Sequence, residues 1–167
     1  MLKTKSKIKG HDSRAVANLF VERADIHQRP LDIMQLNKLV YLAHGWRLGR
    51  SEGRPLICHE VLAWRYGPVI RQVYGAFRPQ GIDIKGLARD PTGFPWDAEL
   101  DADELEGVDA VYNAYSPLSG PQLSALTHQQ GTPWRLTWDR HPRCRIPNDL
   151  IQIYFSDLIQ QLRRQKQ

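Results

Sequence analysis

Three sets of residues in this chain have side chains that could do chemistry. Cys58-His59 and His141-x-x-Cys144 supply four soft or borderline ligands of the kind zinc accepts in tetrahedral sites. Neither pair has C-x-x-C spacing, and neighbours on an extended segment point to opposite faces. Buried cysteines and surface histidines, with no metal held between them, are the expectation. A second set, His44, His128 and either cysteine, holds a nucleophile and two bases. Nucleophilic catalysis also needs an orienting group, and neither a nucleophile elbow nor a Gly-rich anion loop accompanies these residues. His128 follows Thr127 near a predicted helix end, where a capping or core hydrogen bond is the ordinary role. The residues therefore point to no catalytic centre and no cofactor.

The third set is concentrated in "AWRYGPVIRQVY", residues 63–74. In an extended segment Trp64 and Tyr66 share a face, because side chains alternate with period two. Pro68 disfavours the α region for Gly67 and pre-sets φ for a first helical turn. The expected path is a strand, a turn at Gly67 and a helix opening at Pro68, with both rings held at the corner. Rings so placed either cover the core or anchor a partner, as Trp and Tyr do at binding hot spots. A phosphate held by free amides at this helix start would need a Lys or Ser/Thr beside it, and none is there. Base stacking would need basic residues interleaved with the rings, which the body of the chain is read as lacking. Lys38, Tyr41 and His44 interrupt an otherwise apolar helix. They are either core groups with satisfied polar atoms or the lining of a groove beside the corner. The candidate partner-binding set is Lys38, Tyr41, His44, Trp64, Tyr66, Gly67, Pro68, Tyr74, His128 and Trp134.

The elements that must position these residues are mostly helices. Asp12 or Ser13 can cap a helix over 14–24, with Val16, Leu19, Phe20 and Ala24 on one side. Pro30 breaks the chain, and Asp32 with Gln35 forms a capping box for a second helix through Trp46. That helix is apolar on nearly every face, which places it centrally. Residues 56–64 read as a short strand or hairpin arm, and Val69, Ile70, Val73 and Phe77 as a short helix ended by Pro79 and Gly81. Residues 86–96 read as loop. Asp101 with Glu104 and Ser119 with Gln122 form two further capping boxes. The stretch 129–147, with Gly131, Pro133, Pro142 and Pro147, reads as irregular. Ile151, Tyr154, Phe155, Leu158, Ile159 and Leu162 mark a last helix, and Arg163 and Arg164 suit the negative end of its dipole. The fold class expected is mainly α: a compact single-domain bundle of about five to six helices with a small β element around 56–64.

At 167 residues the chain fits one domain with tails, spanning 11–162 between a basic arm, 1–10, and a basic end, 163–167. Its formal charge of +5 resides in those ends. Without Lys3, Lys5, Lys7, Lys9, Arg163, Arg164 and Lys166, 16 basic residues face 18 acidic ones. A duplex binder needs a basic stripe on its folded face, so DNA is expected at most at the arms. Seven acids lie between Asp97 and Asp109, a block that is either a solvated face or a receiver for a basic partner. The longest apolar run, Leu39 to Ala43, cannot span a bilayer, and Met1 to Gly10 lacks the apolar centre of a signal peptide. Two cysteines 86 positions apart suit a reduced, cytoplasmic setting.

Three blocks also carry a family resemblance. "LNKLVYLAHGWRLG" (36–49), "PLICHEVLAWRYGPVIRQVYGAF" (55–77) and "LSALTHQQGTPW" (123–134) resemble, in order and spacing, the Panacea or SocA-like antitoxin domain. Cys58-His59 departs from the acidic or small residues more usual there, and the basic N-terminal arm lies outside the pattern. The resemblance implies a small, mostly helical antitoxin encoded beside a toxin in a bacterial or prophage operon, neutralising that toxin by direct binding. It also implies an alternative, an adaptor that delivers the toxin to a cytoplasmic protease, while the charge of the basic arms gives a second, a nucleic-acid-binding regulator. A homodimer remains open.

Overall fold

The computed structural model describes residues 9–167. The arm 1–10 expected from the sequence therefore lies almost wholly outside the described residues. The described residues form seven helices, a two-stranded sheet and one 3-10 turn: α1 (Ser13–Ile26), α2 (Ile33–Arg50), β1 (Leu62–Trp64), β2 (Gly67–Val69), α3 (Arg71–Phe77), α4 (Ala102–Tyr115), α5 (Gly120–His128), α6 (Pro133–Arg140) and α7 (Asn148–Gln165). All three expected capping boxes form, at Asp32/Gln35, Asp101/Glu104 and Ser119/Gln122. Asp12 rather than Ser13 caps α1, accepting from the Arg14 amide. Arg163 and Arg164 lie in the last turn of α7, so the helix runs through residues expected in the tail.

α2 is the axis of the molecule. Every residue from Leu36 to Gly45 is buried, and α1, α4, α5, α7 and β2 all pack against it. Its closest neighbour is α7. A Cβ at Gly45 would overlap the Phe155 ring, and one at Gly49 would meet the α7 backbone at Phe155 and Ser156. The two glycines, one turn apart, let the helices approach with Phe155 seated between them. Tyr41 and Trp46 meet the same ring edge-on, at 5.9 and 5.8 Å. The long connection from α3 to α4 is pinned by Asn18 on α1. Its amide donates to the carbonyls of Ala88 and Trp96 and its oxygen accepts from the Ala88 amide.

Two expectations about local structure are corrected. The corner at Gly67 is a hairpin, not a strand leading into a helix: Leu62, Ala63 and Trp64 pair antiparallel with Val69, Pro68 and Gly67. Pro68 therefore sits in a strand opposite Ala63. The Ala63 amide and carbonyl face the other way, toward Cys144 and Arg143. The missing Pro68 N–H thus costs no ladder bond. The helix starts at Arg71, because Asn37 on α2 captures the Ile70 amide at 2.8 Å and holds Ile70 extended as the N-cap. The second correction is α6, inside a stretch read as irregular. Thr132 caps it and Pro133 stands at its first turn, where proline is favoured rather than disruptive.

Candidate functional site

The hairpin, α2 and α3 enclose a groove of about 590 Å³, further lined by Arg143 from the segment after α6. One wall is aromatic. Trp64, at the end of β1, is half-buried and meets Tyr74 of α3 edge-on at 5.5 Å. Tyr66, in the hairpin turn, is 59% exposed. The turn is held from behind by two side chains donating to its carbonyls, Trp134 Nε1 to Trp64 at 2.7 Å and Ser124 Oγ to Tyr66 at 2.6 Å. The rings are thus presented on a backbone anchored to α5 and α6, which limits their freedom to move.

The floor is Lys38. Its side chain is 1% exposed, yet it lines the groove. Among the described residues no ion pair holds its ammonium, and no Asp or Glu lines the groove. Burial pushes this group down to about 8, with Asp32 opposing more weakly. Gly67 makes room for it. With φ at +116°, a Cβ there would fall 2.6 Å from Lys38 Cε and 2.8 Å from Thr127 Oγ1. Arg65, Arg71 and Arg143 stand exposed around the rim, and the Arg65 guanidinium lies 5.5 Å from the Tyr66 ring. Rings and cations are therefore interleaved here, contrary to the reading of the body as lacking such an arrangement. The charge count over the whole body concealed a local concentration.

Of the ten residues in the candidate set, Lys38, Trp64, Tyr66 and Tyr74 line the groove, and Gly67 and Pro68 shape the hairpin beside it. Tyr41 and His44 do not reach it. Tyr41 is buried against Phe155, and burial raises its phenol. His44 is fully buried. Its Nδ1 accepts from the amides of Leu56 and Ile57 at 3.3 and 3.4 Å, and its Nε2 lies 3.0 Å from Asn148 Oδ1. The neutral tautomer with a proton on Nε2 satisfies all three contacts, and burial holds the ring down to about 4. Trp134 is buried, its ring stacked between His128 at 3.8 Å and Trp138 at 5.3 Å. His128 lies outside the groove, and burial, then Lys38 and Arg135, lower it. Residues that sequence reasoning missed are Asn37, Arg65, Arg71 and Arg143. Arg65 and Arg71 stood within the quoted stretch itself, whereas Arg143 is brought in only by pairing of the 143–146 segment with β1.

The four candidate zinc ligands do not form a cluster, since the described residues contain no group of three or more His, Cys, Asp or Glu placed to hold a metal. His59 Nδ1 is instead engaged by Ser13 Oγ at 2.7 Å. Both cysteines are exposed rather than buried, since each lies on an irregular surface segment. No helix among the described residues is long and apolar enough to cross a membrane.

Residues 36–135 match the family model described as antitoxin SocA-like, Panacea domain. The chain belongs to the SocA-like Panacea family. The antitoxin SocA of Caulobacter vibrioides (strain NA1000 / CB15N) is 35% identical over 129 residues, covering 74% of this chain and 68% of that protein. No solved structure matches. The Panacea match runs from the first buried turn of α2 to the start of α6. It includes Lys38, the whole hairpin, α3 and Trp134, while Arg143 lies beyond it.

Proposed function

We propose that this chain is the antitoxin of a toxin–antitoxin pair and neutralises its toxin by direct protein–protein binding, without enzymatic turnover, through the groove between α2, the hairpin and α3. Membership of the Panacea family supports the antitoxin role. The observation that favours this face is the exposed Tyr66 beside half-buried Trp64 and Tyr74, on a hairpin whose carbonyls are tied to Ser124 and Trp134. Rigid aromatic anchors of this kind dominate interface energetics. Nanomolar neutralisation needs about −12 kcal/mol, which an interface of roughly 800 Å² per partner supplies when a few such anchors are present. His44, one of the two bases considered from the sequence, has both ring nitrogens engaged in the core.

The test is co-expression with the product of the adjacent open reading frame, read by growth rescue and by affinity pull-down of the pair. Rescue with co-purification supports the reading, and rescue without complex formation overturns it. If toxin abundance falls while the complex is transient, the chain acts as an adaptor to a cytoplasmic protease instead.

A further inference from the structure

A lysine buried this completely is ordinarily paired, because desolvating an ammonium is costly unless a counter-charge compensates. Lys38 is 1% exposed, and the groups that crowd the Gly67 Cα position beside its tip include the uncharged Thr127 hydroxyl, which brings no counter-charge. The carboxylate within electrostatic reach, Asp32, is occupied as the N-cap of α2, where it accepts from the Gln35 amide. The groove above Lys38 contains no acid, and three guanidiniums ring it. Cationic floor, cationic rim and aromatic wall together describe a receptor that lacks its anion. We propose that this groove docks an acidic segment of the partner protein, with one internal Asp or Glu side chain descending to the Lys38 ammonium and flanking apolar residues covering Trp64, Tyr66 and Tyr74.

Three rim arginines on three separate elements call for more than one carboxylate. An internal acidic stretch provides that, whereas a lone chain terminus brings a single charge. A buried cation meeting a carboxylate in a site shielded from water gives a charge-assisted contact with a geometric demand, hence specificity as well as affinity. The proposal rests on reading the chain as a partner-binding antitoxin, but it can fail separately from that reading.

The experiment is selection of a displayed library of short random peptides, fused internally so that no terminal carboxylate is free, on the full chain and on Lys38→Met. The expected result is a consensus with Asp or Glu at one fixed position beside apolar residues. Its affinity should weaken at least about 30-fold in Lys38→Met, as removal of one partner of a buried charge pair does. Met keeps the aliphatic reach under Gly67, and the melting temperature of that variant must not fall below wild type. Arg71→Gln combined with Arg143→Gln, both at exposed positions, serves as the second variant and should weaken binding and flatten its salt dependence. A consensus without an acid, no consensus, or equal binding by Lys38→Met overturns the proposal. So does tighter occupation by ATP or inorganic phosphate, which would make the groove a nucleotide site. A dimer that disappears in Lys38→Met, read by light scattering, would instead assign the groove to the acidic 97–104 segment of a second copy. Growth rescue that survives in Lys38→Met sinks the carboxylate contact and leaves the antitoxin reading intact. A Lys38-dependent acidic consensus without rescue does the reverse.

Discussion

Replacing Lys38 by methionine should stabilise the free protein, although it removes a residue at the centre of the groove. The unfolded chain holds the Lys38 proton up to the ordinary value of 10.5, and the folded chain only up to about 8. The gap corresponds to about 3 kcal/mol by which folding disfavours the ammonium at neutral pH. Met retains the carbon that packs beneath Gly67 and carries no charge to desolvate. The variant should therefore gain up to about 3 kcal/mol at pH 7, or roughly 6–12 °C in melting temperature for a chain of this size. The sign with pH follows from linkage: between about 8 and 10.5 the unfolded state binds the proton that the folded state has released, so wild-type stability gains from raising the pH. Urea denaturation of both proteins across that window isolates Lys38, because other titrations cancel in the difference. The gap should be largest at neutral pH and close toward 10.5. A destabilised Lys38→Met, or a gap that does not change with pH, would mean the ammonium has a counter-charge in the free protein, and the reasoning would fail.

Acid should weaken the fold through His44: the unfolded chain takes up a proton near 6.5 that the folded chain refuses until about 4, so stability falls as pH drops through that window, by up to about 3 kcal/mol. Denaturation at neutral and acid pH should show a flatter profile for His44→Gln. Gly45→Ala drives a methyl into the Phe155 ring and should cost about 1–3 kcal/mol, with Phe155→Leu recovering part of the loss in a double-mutant cycle. Trp134→Phe removes the donor to the Trp64 carbonyl and should cost about 1–3 kcal/mol while loosening the hairpin, read as faster amide exchange in β1 and β2. Tyr66→Ala, at an exposed ring, should change stability by less than about 0.5 kcal/mol yet reduce growth rescue by the antitoxin.

How much of this was legible in the residues differs from element to element. The capping boxes at Asp32, Asp101 and Ser119 and the apolar spacing of α2 and α7 are local patterns, and they located their helices because each cap is satisfied within one turn. α6 was missed because Pro133 reads as a breaker unless its place at the first turn is known. A hairpin arm at 56–64 was expected, but its partner strand Gly67–Val69 was missed because Pro68 reads as a helix opener. Only pairing with β1, and the capture of the Ile70 amide by Asn37, 33 residues away, decide otherwise. The resemblance carried by the three blocks named the family from one-dimensional order alone, which the matches over residues 36–135 and to the Caulobacter antitoxin support.

The candidate site divides in the same way. The sequence by itself marked Lys38, Trp64, Tyr66 and Tyr74, because a charge in an apolar helix and rings around a Gly-Pro turn are anomalies visible without coordinates. It could not tell that Tyr41 and His44, on the same helix, turn to Phe155 and Asn148, or that Arg143 joins the groove from the far end of the chain. Local patterns settle which residues form helices, since backbone bonds within a helix close over four residues. Which side chains share a cavity, and which charges go without a partner, depends on contacts between segments distant in sequence, and those exist only once the chain has packed.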